Sequence, residues 1–312
     1  MRQQQERRVV LLTGAAGGIG AATARELARR GCALALVDRR GTRLAALVGE
    51  IVAAGGQALA IVADMTQADD RQRMLELTLR RFGRLDALVN NAGTGRAGAT
   101  EALTSAQIQL LFDLNVLAPI ELTRLALPEL RKQRGVIVNI ASILGRVAMP
   151  PFGMYSATKF ALSGWTDALR LELAPQGVRV CEVDPGSVQT EFAATAGVKD
   201  GFFAHFGIQP QPVARAVANL LRHPRRRVTV PFYLGPAMWL CQVAPGATYL
   251  GYRLLIRLNP AFFLHQAGDP QAHEAALREQ WASEAGEAWD VVEAPIAAEI
   301  GIIPTPQARL RA

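Results

Sequence analysis

Lysine is nearly missing from this chain of 312 residues. Only Lys132, Lys159 and Lys199 occur, so arginine supplies almost all of the 34 basic residues that leave a net charge of +7. Each lysine position is therefore informative. Cysteine is scarce too: Cys32, Cys181 and Cys241 are odd in number, far apart and set among apolar residues, which fits reduced thiols better than a disulfide framework. No CxxC pair and no zinc spacing occurs, and His205, His223, His265 and His273 show neither an HExxH pattern nor an acidic partner, so no metal site is expected. Aromatic residues make up 6%, and the 28 glycines and 17 prolines are close to average usage, which excludes collagen and low-complexity architectures. With half the residues hydrophobic and one fifth charged, disorder is excluded and the material for a large core is present. One large domain or two modest ones both fit.

A basic balance can signal nucleic acid or an anionic membrane. The arginines, however, are spread along the chain, and the densest run, Arg225-Arg226-Arg227, is short and leads straight into apolar Val228-Thr229-Val230. No nucleic-acid partner is expected. Met1 to Arg8 is polar and the apolar run after it is only four residues long, so an export signal is not expected and the location is read as cytoplasmic.

From Val9 to about Val230, short β-branched or leucine-rich runs alternate with longer stretches of helical period, the pattern of βαβ units. Strands are predicted near Val9–Leu12, Ala33–Val37, Ala58–Val62, Ala87–Val89, Gly135–Ile140, Arg179–Val183 and Arg227–Val230. Their continuous apolar character calls for helices on both faces. Helices are predicted around Ala21–Arg30, Thr42–Ala54, Gln67–Phe82, Ser105–Leu130, Ser156–Leu173 and Pro212–Arg222. The expected fold is α/β: a Rossmann-type, doubly wound, seven-stranded parallel sheet in a three-layer αβα sandwich, with a mostly helical C-terminal extension.

The composition changes after Val230. Pro231 to Tyr252 is 22 residues without a formal charge, 14 of them hydrophobic, followed by Arg253 and Arg257. Three prolines and three glycines interrupt it, which argues against a regular membrane-spanning helix. Lying on a membrane, covering a site and packing against a partner subunit all remain open for residues 231–258. Ala272–Trp289 reads as a further helix. The chain is thus divided into a catalytic unit, 1–230, and an extension, 231–312, that is not read as an independent domain.

Thr13-Gly14-Ala15-Ala16-Gly17-Gly18-Ile19-Gly20 follows the first strand and opens the first helix, the context in which a glycine-rich turn cradles a pyrophosphate. Gly14 permits the tight turn, Gly18 lets backbone approach the phosphates, and Gly20 lets helix and strand pack closely. Asp38 ends the second strand, where a carboxylate can accept hydrogen bonds from an adenosine ribose and repel a 2′-phosphate. Arg39 and Arg40 beside it could pair with such a phosphate or stack on adenine. NAD(H) is favoured and NADP(H) left open.

Asn90-Asn91-Ala92-Gly93 follows the fourth strand, Asn115 lies in a predicted helix, Ser142 stands just past the fifth strand, and Tyr155 precedes Lys159 by four residues. With 4 tyrosines and three lysines in the chain, chance supplies only about 0.04 such YxxxK pairs. One helical turn places both side chains on one face, where a cation is expected to lower the phenol pKa and make Tyr155 a proton donor or acceptor at working pH.

On these segments the chain resembles the short-chain dehydrogenase/reductase family, from Thr13 to about Thr190: the TGxxxGxG turn, Asp64 after the third strand, NNAG, Asn115, Ser142, Tyr155-Ser156-Ala157-Thr158-Lys159, and Pro185-Gly186-Ser187-Val188-Gln189-Thr190. The last 80 residues lie outside that family's minimal core. The resemblance implies an NAD(P)-dependent oxidoreductase acting on CH–OH groups, with Tyr155 as general acid/base and Lys159 binding the nicotinamide ribose. It implies that Ser142 bonds the substrate oxygen and that Asn115 holds a proton-relay water. Cofactor contacts would come from Thr13, Gly14, Gly18, Ile19, Gly20, Asp38, Arg39, Asp64, Met65, Asn90, Ala92, Gly93, Tyr155, Lys159, Pro185, Gly186, Val188 and Thr190. It further implies a homodimer or homotetramer built on the helices near Ser105–Leu130 and Ser156–Leu173. A non-catalytic dinucleotide sensor or scaffold of the same fold is the rival reading.

Substrate walls are expected in Thr94–Ala99, Ile143–Met154 and Phe192–Ile208. Leu144, Val147, Met149, Pro150, Phe152, Phe192, Phe202, Phe203 and Phe206 suggest a lipophilic alcohol or ketone, while Arg96 and Arg146 leave room for an acidic group. A small-molecule substrate and, through 231–258, a membrane surface are the expected partners.

Overall fold

The computed structural model of the protein describes residues 7–197, 207–258 and 302–303. Seven strands occupy the predicted runs: β1 (Val9–Thr13), β2 (Ala33–Asp38), β3 (Gln57–Val62), β4 (Ala87–Asn90), β5 (Val136–Ile140), β6 (Arg179–Pro185) and β7 (Arg227–Val230). All pair in parallel in the order β7-β6-β5-β4-β1-β2-β3. A two-residue strand that the sequence reading did not include, β8 (Ile302–Ile303), adds to the edge beside β3. The helices are α1 (Gly18–Arg29), α2 (Gly41–Ala53), α3 (Ala68–Phe82), α4 (Ser105–Phe112), α5 (Ala118–Lys132), α6 (Gly153–Leu173), α7 (Phe192–Thr195), α8 (Gln211–Arg222), α9 (Leu234–Val243) and α10 (Pro245–Leu258).

Strand residues alternate between two apolar layers. Val10, Leu12, Leu34 and Leu36 pack with Leu27 of α1, with Leu44, Leu47, Val48 and Ile51 of α2, and with Val213, Val217 and Leu221 of α8. Leu11, Ala35, Val37 and Leu59 face the other way, onto Met74 of α3, Leu122, Ala126 and Leu130 of α5, and Leu169 and Leu173 of α6. Spacings of three and four residues put each helix's apolar side chains on one stripe. Each fully buried leucine contributes roughly 1.5–3 kcal/mol. The central strands are sealed from water on both faces, as the lack of polar alternation in their sequence required.

One predicted element came out differently. The stretch Ser105–Leu130, expected as one helix, is α4, a π turn at Asp113–Leu117 and α5. A π turn inserts one residue into the helical ladder without breaking it, so the apolar period hardly registers it. The apolar stretch after Val230 divides into α9 and α10, with Pro245 opening α10, a position proline favours. Among the described residues no helix is long and apolar enough to cross a membrane. The predicted helix Ala272–Trp289 lies outside the described residues.

The order of strands reverses between β1 and β4: from β1 the chain proceeds outward to β2 and β3, and from β4 outward to β5, β6 and β7. A crevice opens above such a switch point, at the carboxyl ends of the strands. Its floor depends on glycine. A Cβ on Gly20 would run into the carbonyl oxygen of Gly14, whereas Gly49, in the middle of α2, faces open space. Gly20→Ala is expected to cost about 3 kcal/mol or more through steric overlap, and Gly49→Ala to gain about 0.5–1 kcal/mol through helix propensity. Paired thermal melts of the two variants check this, and similar melting points would show that the close approach is absent.

Candidate active site

At the end of β1 the chain turns through Gly14, whose φ of +65° lies in the left-handed region. A Cβ there would also stand 2.8 Å from Ala92 Cα, so the residue must be glycine on two counts. Asn91 donates its side-chain amide to the carbonyls of Thr13 at 2.9 Å and Gly14 at 3.0 Å. Thr13 Oγ accepts from the backbone N–H groups of Asn91 at 3.1 Å and Ala92 at 3.0 Å. The glycine turn and the segment after β4 are thereby held together. Gly17, at the head of α1, supplies no side-chain cap, so the first N–H groups of that helix remain for an anion in the crevice.

Asp38 ends β2 and is buried, its side chain only 5% exposed. Its Oδ2 accepts from the Ala16 N–H at 2.9 Å. Arg40 closes on it as a fork, Nε to Oδ1 at 3.0 Å and Nη2 to Oδ2 at 3.1 Å. The same guanidinium approaches Gly17 and Glu191, and Glu191 is held by Arg43 at 2.6 Å. An arginine is therefore present beside the glycine turn as well as beside Asp38.

Lys159 and Tyr155 come from adjacent turns of α6 and are both buried. The Lys159 ammonium donates to the Ile140 carbonyl at 3.0 Å and lies 5.7 Å from the centre of the Tyr155 ring. Gly93 covers it without a side chain: a Cβ there would be 3.6 Å from Lys159 Nζ and 3.0 Å from Asn115 Oδ1. Ser142, at the end of β5, hydrogen-bonds the Tyr155 hydroxyl, and its Oγ accepts from the Leu144 N–H at 3.1 Å. Asn115 sits in the π turn. Its side chain accepts from the Thr94 N–H at 2.9 Å and donates to the Thr94 carbonyl at 2.9 Å and to Thr158 Oγ at 3.0 Å.

One crevice of about 350 Å³ gathers these groups. Of the residues predicted to bind cofactor or act in catalysis, Gly14, Gly18, Ile19, Gly20, Asp38, Arg39, Asp64, Met65, Ala92, Gly93, Ser142, Tyr155, Lys159, Pro185, Gly186, Val188 and Thr190 line it. Thr13, Asn90 and Asn115 stand behind its walls. Asn90 donates to Asn139 at 2.8 Å and Thr123 at 3.1 Å, tying β4 to β5 and α5.

The matched sequence agrees with this geometry. Residues 8–200 fit the family model described as short chain dehydrogenase. An uncharacterised oxidoreductase of Methylorubrum extorquens is 39% identical over 235 residues, covering 72% of this chain and 94% of its relative. The chain belongs to the short-chain dehydrogenase/reductase family of oxidoreductases.

Solved relatives align at similar extent. An alcohol dehydrogenase from Thermococcus sibiricus, complexed with 5-hydroxy-NADP, is 30% identical with a TM-score of 0.67, covering 72% of this chain and 96% of its own. A 3-ketoacyl-(acyl-carrier-protein) reductase from Brucella melitensis, complexed with NADH, is 29% identical with a TM-score of 0.64, covering 72% and 97%.

The electrostatics of this short-chain dehydrogenase depart from the expectation that the ammonium lowers the phenol pKa. Burial pushes the Tyr155 hydroxyl well above its ordinary value, and the hydrogen bond from Ser142 opposes this only in part. The ammonium is bonded to a main-chain carbonyl and lies beside the ring, so desolvation dominates in a dry site. Burial also brings Lys159 down to about 8, against the upward pull of Asp184 and then Glu182. Those two carboxyls share one face of β6 and are raised by burial, with Arg146 and Arg227 beside both.

Apolar residues wall the end of the crevice that holds Tyr155. Phe152 and Phe192 pack on the Tyr155 ring at 6.1 and 5.4 Å between ring centres, and Leu144 and Met149 complete the lining with Leu110 and Leu114. The last two come from α4 and the π turn, and no motif marked them. Arg96 is buried away from the lining and Arg146 is drawn to Glu182 and Asp184, so neither fits the acid-binding part considered for it. Phe202, Phe203 and Phe206 lie outside the described residues.

Lysine-labelled protein should show one ammonium titrating near pH 8, assigned to Lys159 by its absence in Lys159→Arg. Asp184→Asn removes a negative neighbour and should move that midpoint lower still; an unmoved NMR titration would mean that the carboxyl does not act on the ammonium.

Proposed function

We propose that the protein is an NAD(H)-dependent oxidoreductase interconverting a lipophilic ketone and its secondary alcohol. The observation that carries this reading is the meeting of Ser142, Tyr155 and Lys159 in one crevice whose opposite end holds the glycine turn and Asp38. A nicotinamide dinucleotide fits the crevice by its polar groups: uncapped N–H groups of α1 donate to the pyrophosphate, Asp38 accepts from the adenosine ribose hydroxyls, and the Lys159 ammonium donates to the second ribose. When bound, that group supplies or accepts the hydride.

The chain's own residues do the rest. Ser142 and Tyr155 hydrogen-bond the substrate oxygen. Tyr155 holds its proton at neutral pH because burial disfavours the phenolate, so the group that meets the substrate oxygen is the protonated phenol, the form a carbonyl reduction requires. Lys159, one turn on, orients ribose and passes on protons. Asn115, fixed by its side-chain bonds to Thr94 and Thr158, is the residue proposed to hold a relay water near Lys159. Phe152, Phe192, Leu144 and Met149 exclude water and favour an apolar substrate.

Tyr155→Phe should lower kcat about 10³-fold for a hydrophobic ketone while leaving the NADH Kd within about threefold. In the wild type, alcohol oxidation should accelerate as pH rises while ketone reduction stays flat through neutrality. Unchanged turnover in the variant would remove the proposed role, and steady turnover of small sugars alone would remove the lipophilic substrate.

The preference for NAD(H) rests on Asp38, a carboxylate fixed by Ala16 and facing the place of a 2′-phosphate. Arg40 and Arg43 temper that repulsion. Fluorescence titration should give about tenfold tighter binding of NADH than NADPH, with Asp38→Ala erasing most of the difference; tighter NADPH binding by the wild type would reverse the assignment.

The protein is further proposed to be a homodimer through the outer helices, where Leu117, Phe160 and Leu171 are exposed. Residues 1–230 form the catalytic unit and 231–312 an extension of it.

A further inference from the structure

We propose that α9 and α10 form a docking surface for an anionic lipid bilayer. No residue of either helix is fully buried. Phe232, Tyr233, Trp239, Leu240, Val243 and Leu258 are all more than half exposed, Phe232 at 85% and Leu258 at 74%. Large apolar side chains exposed together in this way mark an interaction surface. The two helices rest on each other, and neither, over its described residues, is long and apolar enough to cross a membrane. Lying in the interface is what such helices can do.

Charge selects the occupant. Between Gly201 and Gly268 the chain contains no Asp or Glu, yet it has seven arginines. Two of them, Arg253 and Arg257, are one helical turn apart on α10, and Arg253 stacks over Tyr249 with 5.9 Å to the ring centre. A second copy of this chain docking face to face would bring the arginines of α10 together with no carboxylate in the segment to answer them. Phospholipid headgroups supply the missing negative charge, aromatic side chains suit the interfacial zone, and long arginine stems let the cations reach it. At its start, Leu234 lies against Gly186, which lines the crevice, so a docked helix pair sets the crevice rim at the bilayer. This extends the lipophilic-substrate reading without resting on it.

Flotation of the full-length protein with vesicles tests the proposal. Phosphatidylcholine vesicles containing 30% phosphatidylglycerol should carry at least about fivefold more protein than phosphatidylcholine alone, and 0.5 M NaCl should abolish most of the difference. Arg253→Glu combined with Arg257→Glu should cut binding to the anionic vesicles at least fivefold, and so should Trp239→Ser combined with Leu240→Ser. Turnover of a water-soluble ketone by either variant reports folding. Absence of flotation, equal flotation of wild type and both variants, or conversion of a wild-type oligomer to monomer by the Trp239 and Leu240 substitutions without lipid binding would each overturn it.

Discussion

A single ammonium buried beneath the crevice sets the terms for this protein. Taking a lysine out of water is costly unless it is hydrogen-bonded and answered by opposite charge. Lys159 meets both conditions through the Ile140 carbonyl and the carboxyls of Asp184 and Glu182. The first fixes α6 against β5, and the second requires acids inside β6, where an ordinary sheet would place valine. Those acids in turn need Arg146 and Arg227. One buried amine therefore accounts for a chain of buried charges extending from the crevice to β7.

The asymmetry between the two reactive groups follows from their surroundings. The phenol is roofed by Phe152 and Phe192 and, among the described residues, has no carboxylate or cation bonded to its oxygen, so burial acts on it with Ser142 in opposition. The amine is buried as deeply, but negative charge lies nearby. The same dry environment that keeps the phenol protonated also brings the amine toward the physiological range, a division of labour that follows from one low-dielectric pocket.

Much of this was legible in the sequence. Apolar runs without polar alternation gave the seven sandwiched strands, and residues of opposite parity, such as Leu11 and Leu12, really do face opposite layers. Most of the motif residues predicted to meet do line one crevice. What escaped has physical reasons. The π turn at Asp113–Leu117 preserves the apolar stripe while shifting it by one residue. Asn91 and Asn90 are neighbours in one motif, yet strand parity sends one to grip the glycine turn and the other behind it. Arg40 reaches Gly17 only because β2 and α1 adjoin. The raised phenol could not be foreseen, since helical spacing reports that two groups share a face and is silent on the water around them.

The strand order bears on how the chain is made as well as on where the crevice lies. β1 is synthesised first, yet it pairs with β4, in a register that joins Val10 to Ala87, and with β2, which joins Val9 to Ala33. Every pairing in the sheet waits for a partner well downstream, so contact order is high and folding is slow on the scale of helical proteins. At roughly 5–20 residues per second of translation, the apolar edge of β1 that belongs to β4 goes unclaimed for at least several seconds, a window in which the nascent chain depends on shielding from outside itself.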